Sequence, residues 1–294
     1  MKRVVITGAD GFIGRALLTE LNKSNVEVIP VTLTTPLPQG TTDVDVFFHF
    51  AREGGYTSNS FQNAMLQIEN IANDVRAVET AISIGTKRFI YAQTYNYLEI
   101  IEFLKGNIAE PRYTNIYSAS KSAAEIMGKT IAYNNGMEFI SGACPMIHGP
   151  GNYHSESFGS VLLRKLINSE EVNCIDGNNP YDFVYIGDIV KAFIAIAKSG
   201  KNLKTYYVGH RKLCTFKEIA TDVRNIVNPD CKVNFGAYPE PEQIIDWSDV
   251  PLDELYNDTG FECRADLRES VLETVEWIKA TLLKSQKQKT FENK

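Results

Sequence analysis

The sequence predicts an α/β fold, a doubly wound parallel sheet with a smaller, interleaved C-terminal α/β lobe. Three observations carry that expectation. A short apolar run, Val4-Val5-Ile6, leads straight into glycines at 8, 11 and 14 and then an amphipathic stretch through Leu17, Leu18 and Leu21, reading as strand, tight turn, helix. Strand-length runs at 26–31, 45–50 and 87–92 alternate with helical periodicity over 61–84 and 113–127. The 294 residues suffice to bury a substantial core in one large or two smaller domains.

Composition narrows the partners. Hydrophobic residues at 44% and charged residues at 22% describe an ordinary globular protein. A net charge of −6 argues against nucleic acid as the main partner, since phosphate backbones are held by clustered Lys and Arg. A small phosphorylated ligand held by backbone amides remains compatible. Cysteines at 144, 174, 214, 231 and 263 show no C-x-x-C spacing, so they read as reduced thiols and no metal site is expected. Three apolar residues after Lys2 and Arg3 are too few for a signal-peptide core, and no run reaches membrane-spanning length. A cytoplasmic location with no membrane partner is the expectation.

The glycines suit three jobs in order. Gly8 allows the tight bend, Gly11 lets backbone approach a pyrophosphate, and Gly14 lets the helix pack closely on the strand. The helix start then offers free N–H groups and a positive dipole end. This T-G-A-D-G-F-I-G stretch resembles the cofactor loop of the extended short-chain dehydrogenase/reductase family, the nucleotide-sugar epimerases, dehydratases and ketoreductases. The resemblance implies a Rossmann-type sheet, an NAD or NADP cofactor held at Gly8, Gly11, Phe12, Ile13 and Gly14, and a homodimer.

The second strand ends near Thr32, where an acid would bind the adenosine ribose of NAD. That acid is missing. Hydroxyls at 32, 34 and 35 could receive a ribose phosphate, with charge from Arg15 or Arg52, so the choice is open with a slight tilt to NADP. Between Thr32 and the next strand lies only T-T-P-L-P-Q-G-T-T-D-V, where the family usually has a further strand and helix carrying an acid to the adenine. Asp43 is a poor substitute. D-V-D-V-F-F-H-F-A-R resembles the family's D-x-V-x-H-x-A-A strand, which places Ala51 and Arg52 in the cofactor-facing loop. His49 reads as a structural histidine in an apolar strand. Asn70 sits where the family keeps a buried Asn that braces the active-site strand.

The strand at 87–92 delivers Gln93 and Thr94 at its carboxyl end, where open parallel sheets bind ligands. Tyr117 and Lys121, in Y-S-A-S-K, lie one turn apart on one helix face. With the glycine turn and Thr94, in this order, they form the family's signature. The chemistry follows from charge. A phenol with pKa about 10 is too weakly acidic to serve near neutrality. A cation about 4 Å away is worth up to about 4 kcal/mol at an effective dielectric of 20, moving the phenol by up to about three units. Lys121 would supply that cation and hold the nicotinamide ribose, Tyr117 would be the general acid/base, and Thr94 would hold the reacting oxygen.

The neighbours of Thr94 narrow the reaction. Family 4,6-dehydratases carry an acidic pair there, whereas this chain has Tyr95 and Asn96, and the cysteine of 3,5-epimerase-reductases is absent. What remains is an NAD(P)-dependent 4-epimerase, such as a UDP-sugar 4-epimerase, or a 4-ketoreductase of a nucleotide sugar. Two other readings stand beside it. One is a reductase of a small non-nucleotide carbonyl compound; the other is a catalytically idle dinucleotide-sensing protein, which would predict erosion of Thr94, Tyr117 or Lys121.

The substrate half departs from the family. Ala143 and Met146 replace the usual Arg and ligand-facing Asn, and Tyr181 replaces the Arg of R-D-F-x-x-V-x-D that grips a diphosphate. Tyr95, Met146 and Tyr181 are the substrate-facing candidates alongside Thr94, and Arg164, Lys165 or Arg211 could compensate for the lost charge. The expected division is 1–150 plus about 181–210 for the dinucleotide domain, and 151–180 plus about 211–294 for the substrate lobe. Thr215 with Glu218 reads as a capping box, and the polar residues from about 284 onward as a frayed end.

Overall fold

The structure is a computed structural model and describes residues 1–55, 57–107, 110–152, 156–239 and 245–292. The first elements are β1 (Arg3–Thr7), α1 (Phe12–Leu21), β2 (Glu27–Val31) and β3 (Val46–His49). Next come α2 (Ser58–Gln62), α3 (Ala64–Ser83), β4 (Arg88–Thr94), α4 (Tyr97–Leu104), α5 (Tyr113–Asn134) and β5 (Glu138–Cys144). The chain continues with β6 (Met146–His148), α6 (Phe158–Ile167), β7 (Val172–Asn173), β8 (Pro180–Tyr181) and β9 (Phe183–Tyr185). It closes with α7 (Ile186–Ser199), β10 (Thr205–Tyr207), β11 (Cys214–Thr215), α8 (Phe216–Val227), β12 (Val233–Asn234), α9 (Glu254–Thr259) and α10 (Leu267–Glu292).

Two compact units share these elements. The first holds residues 1–145, 187–211 and 242–263, and the second holds 146–186, 212–241 and 264–294. Compared with the expected division, 146–150 and 181–186 fall in the second unit and 242–263 returns to the first. The return has a physical cause. Lys204 beside β10 pairs with Glu254 and, at 2.9 Å, with Asp258 of α9, and the Tyr206 hydroxyl donates to Asp258 at 2.8 Å.

The first unit is built on a six-stranded sheet in the order β10-β5-β4-β3-β1-β2, with every pairing parallel. Strand order reverses at β1, whose neighbours are β2 and β3, and such a switch point is where open α/β sheets bind ligands. Residues 32–45 contain no strand or helix, so β2 is a sheet edge, a position where Pro30 is tolerated. The register aligns Val5, Phe47, Phe89 and Phe139 in one row across four strands. Phe47 stacks on Phe89 at 5.3 Å and Phe89 on Phe139 at 5.1 Å, forming the floor on which Val78 and Ala81 of α3 and Ala124 and Ala132 of α5 pack. Gly128 permits that approach, because a Cβ there would lie 2.6 Å from the Phe139 ring. Two residues further toward the carboxyl ends, the same face presents Thr7, His49 and Tyr91 in one row.

Most element positions follow the sequence reading, with instructive differences. The expected helix over 61–84 breaks at Asn63, whose Oδ1 accepts the Leu66 N–H at 3.0 Å and caps α3. The helix of Tyr117 continues to Asn134, and α10 spans Leu267–Glu292. The second unit packs α6, α8 and α10 through Leu162, Leu166, Phe216, Val223, Val271 and Val275. Thr215 and Glu218 form the expected capping box at the start of α8.

Candidate functional site

The turn between β1 and α1 is built to be without side chains. Gly8 takes φ +66°, and a Cβ there would lie 2.7 Å from the Ala51 amide nitrogen. At Gly14 a Cβ would sit 2.0 Å from the Gly8 carbonyl oxygen, so only glycine lets α1 close on the turn. Gly11 is the N-cap of α1 and supplies no side-chain cap, which leaves the first helical N–H groups, at Phe12 and Ile13, for an anion. This cradle fits the pyrophosphate of a dinucleotide.

The ribose end differs from the expectation in detail. The Thr32 hydroxyl accepts from the backbone N–H of Thr34 at 3.2 Å and of Thr35 at 3.0 Å, closing a local turn. Arg15 is exposed on α1. Arg52 is not available for a ribose phosphate, because its Nη1 donates to Asp74 at 2.8 Å and its Nη2 to Gln67 at 2.9 Å and to Ser120. Asn70, buried on α3, clamps the loop after β3 from both sides. Its Oδ1 accepts the Glu53 N–H at 3.0 Å and its Nδ2 donates to the Glu53 carbonyl at 3.1 Å.

Asp74 of α3 is the centre of a buried network that local sequence patterns do not reveal. One oxygen accepts from His49 Nε2 at 3.0 Å; the other accepts from Arg52 and, at 2.9 Å, from the Tyr91 hydroxyl. With Nε2–H donating to the carboxylate, the other ring nitrogen, Nδ1, meets the Thr7 hydroxyl at 2.7 Å. This is the structural role expected for His49. Burial works to raise the Asp74 carboxyl, but the His49 hydrogen bond and the charges of Lys121 and Arg52 hold it below its ordinary value.

Thr94 ends β4, buried, and its hydroxyl accepts the Asn96 N–H at 3.4 Å. Its own N–H donates to Gln93 Oε1 at 2.9 Å, and Gln93 Nε2 donates to Glu125 at 2.7 Å. Tyr117, Lys121 and Glu125 follow one another on a single face of α5 at four-residue spacing. Reading Y-S-A-S-K one turn further would have found Glu125. Lys121 is buried, donates to the Ala92 carbonyl of β4 at 2.5 Å and lies 4.7 Å from the Tyr91 ring centroid. Burial, with the nearby Arg52 charge, lowers its ammonium to about 7. Tyr117 is half-buried, with Phe61 edge-on at 5.6 Å and the Arg52 guanidinium 5.2 Å from its ring centroid.

The substrate candidates fall in both units. Tyr95 stacks on Trp247 at 6.3 Å, a residue of the segment that rejoins the first unit. In the second unit, Met146 is half-buried in β6, and Tyr181 in β8 packs edge-on against Phe216 at 5.3 Å. Of the basic residues that could replace the missing arginines, Arg211 is held by Asp253 at 2.5 Å and Glu262 at 3.3 Å, and lies over Tyr256.

A switch-point turn shaped for a pyrophosphate, together with an α5 face whose Lys121 bonds to the strand ending at Thr94, is the arrangement of a dinucleotide-binding α/β fold. Residues 4–209 match the family model for the NAD dependent epimerase/dehydratase family, and the chain belongs to that family. It is an enzyme that works with a nicotinamide dinucleotide, of the class that includes the nucleotide-sugar epimerases and dehydratases. Among similar sequences, CDP-abequose synthase of Salmonella muenchen is 23% identical over 262 residues, covering 80% of this chain and 84% of that protein. The human dTDP-D-glucose 4,6-dehydratase is 22% identical, covering 95% and 90%. The fold is shared with UDP-glucose 4-epimerase of Thermotoga maritima, solved with UDP-glucose, at TM-score 0.73 and 18% identity over 95% of this chain and 99% of that one. Among the described residues, no helix is long and apolar enough to cross a membrane, and no cluster of His, Cys, Asp or Glu could hold a metal.

Proposed function

We propose that this enzyme carries out oxidoreduction at the 4-position of a nucleotide sugar, as a 4-epimerase or a 4-ketoreductase, in the cytoplasm. The single observation that carries the reading is the α5 face that presents Tyr117 and Lys121 one turn apart, with the Lys121 ammonium bonded to β4 two residues before Thr94. Tyr117 exchanges a proton with the substrate oxygen, and Thr94 orients that oxygen. Lys121 holds the nicotinamide ribose and stabilises the phenolate. Gly8, Gly11, Phe12, Ile13 and Gly14 hold the pyrophosphate, with Thr32, Ala51 and the loop braced by Asn70 beside it. When bound, the dinucleotide supplies hydride transfer. The absence of an acidic pair after Thr94 supports one-carbon oxidoreduction over 4,6-dehydration. Tyr95, Met146 and Tyr181 are proposed to face the substrate.

A homodimer through α3 and α5 is part of this proposal. These neighbouring helices expose Met65, Ile68, Ile126, Met127 and Tyr133, apolar surface of the kind that a second copy would cover.

Two measurements test the reading. Mass spectrometry of the purified, denatured protein reports whether dinucleotide is retained: stoichiometric NAD supports an epimerase cycle, and an empty protein that binds NADPH supports a ketoreductase. Tyr117→Phe is expected to lower turnover of the nucleotide sugar found active in a UDP-, CDP- and dTDP-sugar panel by about 10²-fold or more, with dinucleotide affinity little changed. Unchanged turnover removes Tyr117 from the mechanism.

A further inference from the structure

Arg52 stands where the D-x-V-x-H-x-A-A pattern has an alanine, and its guanidinium is built into the fold. The side chain is only 7% exposed. Asp74, Gln67 and Ser120 fasten its two terminal nitrogens, and the buried Nε has no hydrogen-bond partner among the described residues. Ser120 lies between Tyr117 and Lys121 on α5, and its hydroxyl also donates to the Tyr117 carbonyl at 2.7 Å. The guanidinium is therefore tied to the turn that carries the phenol, with its central carbon 5.2 Å from the phenol ring centroid.

We propose that Arg52 is a positioning residue that acts through Tyr117, a permanent cation that fixes the ring and lowers the phenol's pKa. The proposal rests on the reading of Tyr117 as the acid/base. A fixed positive charge over a phenol ring favours the ring–cation contact and stabilises the negative charge left when the proton departs. Among the described residues, Arg52 from the loop after β3 lies over the Tyr117 ring, Lys121 follows one turn along α5, and Asp74 of α3 stands behind the guanidinium. Asp74 offsets part of the Arg52 charge but also serves His49 and Tyr91. Lys121 loses its proton near neutrality, whereas a guanidinium does not deprotonate in proteins. Arg52 thus keeps a cation beside the phenol at alkaline pH.

The test reads the phenol directly, in the full-length protein without added ligand. Tyrosines labelled with 13C at Cζ are titrated by NMR, and Tyr117 is assigned by its loss in Tyr117→Phe. Arg52→Met is expected to raise the Tyr117 pKa by about one unit, a tenfold fall in the phenolate-to-phenol ratio. Arg52→Met combined with Asp74→Asn removes the guanidinium and its carboxylate partner together and is expected to keep at least about a threefold fall, or half a unit. Arg52→Lys, which keeps the charge, is expected to recover most of the shift. A Tyr117 titration unmoved in the folded Arg52→Met or double variant overturns the proposal, as does an Arg52→Lys titration equal to Arg52→Met. Failure of the acid/base reading appears separately, as full turnover in Tyr117→Phe.

Discussion

Asp74→Asn is the sharpest test of how the first unit is held together. The substitution keeps the size of the side chain and opens no cavity, but it puts an amide where two oxygens accept from His49, Arg52 and Tyr91. It also leaves the Arg52 guanidinium buried without its counter-charge. At 2.8 Å and an effective dielectric of 20, the Arg52–Asp74 attraction is about 6 kcal/mol, part of which repays desolvation of the two groups. Removing one partner of such a pair typically costs about 3–5 kcal/mol. Against a total of about 5–15 kcal/mol for a folded domain, that loss is large. Urea unfolding followed by circular dichroism, with dinucleotide binding as a second probe because two units need not unfold together, measures it. Adding Arg52→Met should restore part of the loss, since the orphaned charge goes with it. A loss below about 1 kcal/mol, or losses from the two substitutions that simply add, would falsify the reasoning.

Four further outcomes are expected. Gly14→Ala would set a Cβ 2.0 Å from the Gly8 carbonyl oxygen, so NADH binding followed by fluorescence should weaken at least about tenfold; unchanged affinity refutes the cradle. Lys121, lowered to about 7, is charged below that pH and neutral above it, so turnover that depends on its cation should fall as pH rises through neutrality. The sign for stability is opposite. Between about 7 and 10.5 only the unfolded chain carries this proton, so the Lys121 contribution makes the protein without added dinucleotide more stable as pH rises, and Lys121→Met should remove that slope in denaturation midpoints. Ile126→Glu on the exposed face of α5 should convert a dimer to monomers in light scattering without changing the monomer's circular dichroism; an intact dimer moves the interface elsewhere.

Local chemistry made much of the site legible in the residues alone. The glycine turn, the strand-end Thr94 and the Tyr117–Lys121 spacing depend on backbone conformation and helical period, both encoded within a few residues. So does the missing strand and helix after Thr32, visible as a Pro/Gly/Thr connection and seen in the fold as an edge at β2. The Arg52–Asp74–His49 network was not legible. It joins residues 22 and 25 apart in sequence, and Arg52 also reaches Ser120, 68 residues away. Read as a sequence, Arg52 was a charge available to a ribose phosphate; folded, it faces a carboxylate on α3.

The sequence by itself determined the fold class, the cofactor turn and the order of the residues proposed for proton transfer, because each is a short-range pattern. Tertiary structure alone decided which charges are spent on the protein and how the units are divided. Strand register placed Thr7, His49 and Tyr91 in one row beneath α3 and α5, where Asp74 could collect their hydrogen bonds. Lys204 and Tyr206 drew α9 back beside β10 through Asp258. Burial among those packed elements is what brings Lys121 down to about 7, a property of its surroundings rather than of Y-S-A-S-K.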